Sequence, residues 1–295
     1  MSLFTGSGTA IVTPFYANGG VNYDKLEEII DWQIKNKTDA IIVCGTTGEA
    51  ATMNDTEHLE CIRVAVSATS GRVPVIAGTG SNDTAHGIKL SQEAQKLKAD
   101  ALLQVTPYYN KTTQQGLIAH FTAIAQAVDI PVMLYNVPSR TGMNIAALTA
   151  RELALSCRNI VAVKEASGDI SHAAELAYQT DGLLDIYSGN DDQILPLMSL
   201  GAKGVVSVAS NIMPAEIHDM VMLYLDKKTE EACRLQLKLL PLIHLLFCET
   251  NPIPVKAAMN LMGMEVGPLR LPLIEMSEAN KEKLAATMKE LGLIK

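Results

Sequence analysis

Positive charge is scarce in this chain of 295 residues: 24 Lys and Arg stand against 32 Asp and Glu, a formal net charge of −8. A protein that grips a nucleic-acid backbone presents a basic face, so nucleic-acid binding is not expected. Long apolar runs are also missing. No window holds the roughly 18 uncharged apolar residues of a membrane span, and the richest stretch, 239–248, is short and contains Pro241 and His244. The first residues carry neither a basic segment nor an apolar one, so no secretory leader is read there and a cytoplasmic location is expected. The five cysteines, Cys44, Cys61, Cys157, Cys233 and Cys248, are odd in number and show no Cys-x-x-Cys spacing. A disulfide framework and a zinc site are therefore not expected, and buried thiols are. The six histidines form no His-x-x-x-His pair, so no metal is expected. Disorder is excluded by 48% hydrophobic and 19% charged residues.

What is present is a rhythm. Eight short apolar runs recur: 10–12, 40–44, 75–77, 101–105, 132–135, 160–163, 184–187 and 205–208. They are continuous rather than alternating, as strands buried on both faces are. Amphipathic segments separate them, with Leu26, Ile29, Ile30 and Ile34 on one helical face and Leu59, Ile62 and Val66 on another. Asn54 with Glu57 reads as a capping box, and Asn190 with Gln193 as a second. Strand–helix alternation of this kind predicts an α/β fold, a (β/α)₈ TIM barrel. A doubly wound open sheet fits less well, because no Gly-x-Gly-x-x-Gly follows the first run. The rest of the chain has helical patterns at 229–247, with a kink expected at Pro241, and at 255–262 and 278–291. The expected division is a barrel over 1–226 and a C-terminal helical region over 227–295.

A TIM barrel carries its chemistry on the loops after its strands. Those loops are rich in hydroxyls and glycines. Lys164 ends the sixth apolar run and is expected to project into the barrel mouth, where desolvation disfavours the ammonium and favours a nucleophilic amine. A lysine that snorkels to solvent or pairs with Glu165 is the plainer reading. Tyr135 ends the fifth run, and Thr46 and Thr47 follow the second. A phenol beside hydroxyls can pass a proton, although a core tyrosine accounts for Tyr135 equally well. Arg140 offers a planar fork suited to a carboxylate, or is a surface arginine. Lys256 is read as structural.

The segments Gly45-Thr46-Thr47-Gly48-Glu49, 135–142, Lys164-Glu165-Ala166 and 251–256 together resemble the dihydrodipicolinate synthase family of pyruvate-dependent class I aldolases, almost end to end. The resemblance implies Lys164 as Schiff-base lysine and Tyr135 as proton donor and acceptor. Thr46 and Tyr109 complete a relay in which Tyr109 reaches into a partner's site. It further implies Thr47 and the Val206 backbone at the pyruvate carboxylate, Arg140 at the carboxylate of L-aspartate 4-semialdehyde, and Gly189 lining the pocket. No cofactor is implied, and a homo-oligomer, at least a dimer and by expectation a tetramer, is. Members inhibited by lysine bind it near the segments matching Ala50, Ala51, His58, Asn82, His86 and Tyr108. They have a glutamate where His86 stands and a histidine where Asp55 stands, so weak inhibition is expected. Thr112 and Val206 depart from the common proline and isoleucine. Sibling aldolases that cleave sialic acid or keto-deoxy sugar acids, a non-catalytic acid-binding barrel and a phosphate-binding barrel are the rival readings.

Overall fold

The computed structural model describes residues 2–295. Eight parallel strands pair in chain order and close into a barrel. They are β1 Gly6–Ala10, β2 Ala40–Val43, β3 Val75–Gly78, β4 Ala101–Val105, β5 Val132–Asn136, β6 Ile160–Glu165, β7 Asp185–Ser188 and β8 Gly204–Ser207. The helices are α1 Tyr23–Lys35, α2 Asp55–Thr69, α3 Thr84–Lys96, α4 Gln114–Gln126, α5 Pro138–Thr141 and α6 Ala147–Ser156. After them come α7 Ile170–Thr180, α8 Ile194–Met198, α9 Pro214–Leu225, α10 Thr229–Leu245, α11 Ile253–Leu261 and α12 Glu278–Glu290.

The continuous apolar runs have a direct cause. Met133 and Tyr135 of β5 join an inner cluster with Ile42, Ile76, Tyr187 and Val206, while Val132 and Leu134 join the layer between strands and helices. Each strand thus buries both faces. The outer layer runs on without a break into Leu239, Val255, Met259 and Leu284 of the C-terminal helices. Below, Phe4 stacks on Tyr187 with ring centroids 4.4 Å apart. The Tyr187 hydroxyl donates to the Phe4 carbonyl at 2.6 Å and closes the barrel floor.

Several local expectations need correction. The first strand is Gly6–Ala10, earlier than the apolar run at 10–12. Sterics select the glycines: a Cβ on Gly8 would lie 2.6 Å from Ile42 Cδ1, and one on Gly204 would lie 1.9 Å from the Gly6 carbonyl oxygen. Packing against β2 at Gly8 and barrel closure against β1 at Gly204 therefore want small residues, against their poor strand propensity. The buried residues of α2 are His58, Cys61, Ile62, Val64, Ala65, Ala68 and Thr69, with Leu59 and Val66 only partly buried at its flanks. The Asn54–Glu57 capping box forms, but Asn190 makes no side-chain cap. A 3₁₀ turn starts there, and Gln193 Nε2 instead donates to the Gly168 carbonyl at 3.0 Å. The expected helix around Pro241 forms as one element, Thr229–Leu245. Cys44, Cys61 and Cys157 are buried, but Cys233 and Cys248 are exposed on the C-terminal helices and their connection. Among the described residues no helix is long and apolar enough to cross a membrane.

Candidate active site

Lys164 and Tyr135 are register partners on neighbouring strands. Lys164 is 6% exposed, and its Nζ lies 4.3 Å from the centroid of the Tyr135 ring. Alternation along β6 sends Glu165 the other way. Its carboxylate accepts from Asn136 Nδ2 at 2.8 Å and from the Ser167 amide at 2.6 Å, and lies 3.5 Å from His172 Nε2. Lys164 therefore neither snorkels to solvent nor pairs with its neighbour. Gly189 forms the wall beside it. Its amide donates to the Glu165 carbonyl at 2.7 Å, and a Cβ there would come within 3.1 Å of Lys164 Cε. Val206 is fully buried in the inner cluster beside them.

The loop after β2 is a tight turn. The Gly48 and Glu49 amides donate to the Gly45 and Thr46 carbonyls at 3.1 and 3.0 Å, and Glu49 takes a left-handed φ of 54°. The loop is tied down from the far end of the chain. Asn251 Nδ2 donates to Thr47 Oγ1 at 3.0 Å. Lys256 Nζ donates to Glu49 Oε1 at 2.9 Å and to the carbonyls of Thr13 and Pro268 at 3.0 and 2.6 Å. Burial pushes the Lys256 ammonium down from its ordinary value, and Glu49 opposes that. With every proton engaged and both ionic side chains buried, Lys256 is structural.

Arg140 lies exposed on α5, where its Nη2 donates to the Asn251 carbonyl at 3.3 Å. Tyr109 is 92% exposed and held at a φ of 69°, a conformation that costs a non-glycine residue about 1–3 kcal/mol. Tyr135, Thr46 and Tyr109 do not form one hydrogen-bonded chain among the described residues of a single subunit.

Two polar residues received no role from the sequence. Asn251 is one. The other is Asp191, wholly buried, whose Oδ2 accepts from the Val208 and Ala209 amides at 3.0 and 3.1 Å. Burial pushes its carboxyl up, while bonds from Ser207, Ala209 and Val208 and the charge of Lys164 oppose the shift. Its place in a post-strand loop was the available signal.

The candidate effector residues divide. Asn82 Nδ2 donates to the Tyr108 carbonyl at 3.1 Å, and His86 sits nearby with Nδ1 3.3 Å from Ser81 Oγ. Ala50 and Ala51 lie on the 3₁₀ turn before α2. His58 faces inward, its Nε2 donating to the Gly78 carbonyl at 2.7 Å, and burial lowers its pKa. Asp55 is clamped between Lys89 Nζ at 2.8 Å and His86 Nε2 at 2.9 Å. Bonds from Lys89 and His86 hold its carboxyl at about 2.

A family model described as the Dihydrodipicolinate synthetase family matches residues 3–291. The 4-hydroxy-tetrahydrodipicolinate synthase of Lachnoclostridium phytofermentans is 61% identical over 294 residues, covering 100% of both chains. Among solved structures, the dihydrodipicolinate synthase of Cyanidioschyzon merolae with lysine bound is similar at 46% identity and a TM-score of 0.97, covering 100% of both chains. The chloride-inhibited enzyme of Acinetobacter baumannii complexed with pyruvate is 43% identical with a TM-score of 0.96, covering 98% of this chain and 99% of that one.

Proposed function

The chain belongs to the dihydrodipicolinate synthetase family, and from that premise we propose that it condenses pyruvate with L-aspartate 4-semialdehyde to give 4-hydroxy-tetrahydrodipicolinate, a step of diaminopimelate and lysine biosynthesis. The observation that carries this reading is the buried Lys164 amine facing Tyr135 in the barrel mouth. The amine adds to the ketone of pyruvate, water leaves, and an iminium forms. That cation is an electron sink, so a methyl proton passes to a base and an enamine results. The enamine carbon bonds to the aldehyde carbon of the second substrate. The substrate's amine then closes the ring on the iminium carbon and releases Lys164. The iminium carries the difficult step, and no cofactor enters.

Each side chain has a role in this scheme. Tyr135 shuttles protons with Thr46 and the partner's Tyr109; a tyrosine held exposed in a costly backbone conformation fits an apolar surface that a second subunit covers. A homo-oligomer, at least a dimer and by proposal a tetramer, follows. Thr47 and the Val206 backbone hold the pyruvate carboxylate. Arg140, exposed at the rim, takes the semialdehyde's carboxylate by a charge-assisted pair. Gly189 leaves room beside the amine. Asn82, His86 and Tyr108 form one side of an effector site, to which Ala50, Ala51 and His58 also belong. The reaction takes place in the cytoplasm.

The test is borohydride trapping. Pyruvate with borohydride should leave a stable adduct on Lys164, and turnover should need both substrates. Adduct formation or near wild-type turnover in Lys164→Ala would overturn the assignment.

A further inference from the structure

We infer that Asn251 is a positioning residue that makes Thr47 a hydrogen-bond donor toward the pyruvate carboxylate. The inference rests on the reading of Thr47 as a carboxylate-binding residue. A threonine hydroxyl has one proton to give and two lone pairs to receive with. A carboxylate only accepts, so a threonine that binds it must keep its proton free. In this structure the Asn251 Nδ2 donates to Thr47 Oγ1 at 3.0 Å. One lone pair of the hydroxyl is thereby filled by an N–H, and its proton is left to point elsewhere. An acceptor in the same place would take that proton and turn Thr47 away from an anion.

The surroundings give the contact weight. Asn251 is 6% exposed and Thr47 3%, so water does not compete freely for either group. The other amide atom, Oδ1, is buried without a partner, so the bond to Thr47 is the only one made by the side chain among the described residues. Its backbone carbonyl meanwhile receives Arg140 Nη2 at 3.3 Å. Asn251 thus stands between the residues assigned to the two substrate carboxylates, touching Thr47 through its side chain and Arg140 through its backbone. Side-chain substitutions should therefore act on pyruvate and spare the semialdehyde.

The experiment compares Asn251→Asp with Asn251→Ala, each alone and with Thr47→Val. Readouts are the KM for each substrate, kcat, the pyruvate concentration for half-maximal borohydride adduct on Lys164, and the melting temperature. Aspartate has the shape of asparagine but accepts where asparagine donates. Losing a hydrogen bond to a charged group predicts a rise in pyruvate KM and adduct half-saturation of about ten- to a hundred-fold in Asn251→Asp. The Asn251→Ala effect should be smaller, kcat should fall less than KM rises, and the semialdehyde KM should move least. In the Thr47→Val background the aspartate should add less than about twofold. Should Asn251→Asp not fold, Asn251→Ala with and without Thr47→Val carries the same comparison. An alanine effect equal to or larger than the aspartate effect would mean packing alone and would overturn the inference. So would an aspartate effect that persists with Thr47→Val, which would be plain charge repulsion. If the wild-type protein forms no pyruvate adduct, the Schiff-base reading fails first, and this inference falls with it.

Discussion

The wall formed by Gly189 sets a narrow tolerance on the position of Lys164, and replacing Gly189 with alanine measures it. Gly189 does not occupy the left-handed region, so its backbone accepts a side chain and the effect is steric. The added Cβ would lie 2.5 Å from Ala166 Cβ and 3.1 Å from Lys164 Cε. Carbon atoms prefer about 3.5–4.0 Å, so roughly 1 Å must be found against Ala166 and a few tenths against the lysine stem. The backbone cannot easily supply it, because the Gly189 amide is bonded at 2.7 Å to the Glu165 carbonyl between these two contacts. Overpacking of this kind costs about 1–3 kcal/mol. A full 1 Å misplacement of a reacting amine costs about a hundred-fold in rate, which bounds the effect of the smaller shift at Lys164. Gly189→Ala should therefore lower kcat and the rate of borohydride trapping by about ten- to a hundred-fold. Melting should fall by only a few degrees. Adding Ala166→Gly removes the closest clash and should restore much of both. Wild-type trapping and melting in Gly189→Ala would refute the reasoning, and so would a double variant worse than the single one.

Three further outcomes are expected. Lys256→Met leaves the Glu49 carboxylate buried without its cation and should cost about 3–5 kcal/mol in urea unfolding, partly recovered by adding Glu49→Gln; an unchanged midpoint would show the pair to be idle. His218 is raised above 6.5 chiefly by the bond it donates to Asp39, with Asp219 helping and burial and Lys37 opposing. Its contribution is thus complete below the unfolded value and lost as pH rises through the folded one. The advantage of wild type over His218→Gln, about 1 kcal/mol or less, should shrink from pH 5.5 to 8.5 in thermal melts, and growth with pH would contradict the sign. L-Lysine should inhibit weakly, because the nearby carboxylate, Asp55, is already engaged by Lys89 and His86; half-maximal inhibition below about a millimolar would refute this, the loss of one charge-assisted contact being worth roughly ten- to a hundred-fold.

The barrel was legible because strands buried on both faces leave continuous apolar runs, and Val132–Asn136 or Ile160–Glu165 carry that pattern plainly. Gly6–Ala10 was not, since small residues there answer to barrel closure rather than to strand propensity. Lys164 and Tyr135 were legible as polar groups at the ends of such runs. Register then made them partners, which no local pattern states. Asn251 and Asp191 were hidden for another reason. Their roles depend on contacts set by tertiary closure, Asn251 with a threonine 204 positions earlier. The short 3₁₀ turn at Asp191–Gln193 replaced an expected cap because the Gln193 side chain found a neighbouring loop instead.

That separation also has a temporal side. All eight strands have left the ribosome's decoding centre once residue 207 has been added, yet the turn that presents Thr46 and Thr47 still lacks the bonds it receives from Asn251, Lys256 and Arg270. At about 5–20 residues per second, the 44 positions from Ser207 to Asn251 represent roughly 2–9 seconds of translation. Throughout that interval a nascent barrel carries its lysine and tyrosine beside an unlatched loop. Emergence of the final helices, rather than completion of the sheet, is then the moment at which the chain becomes competent.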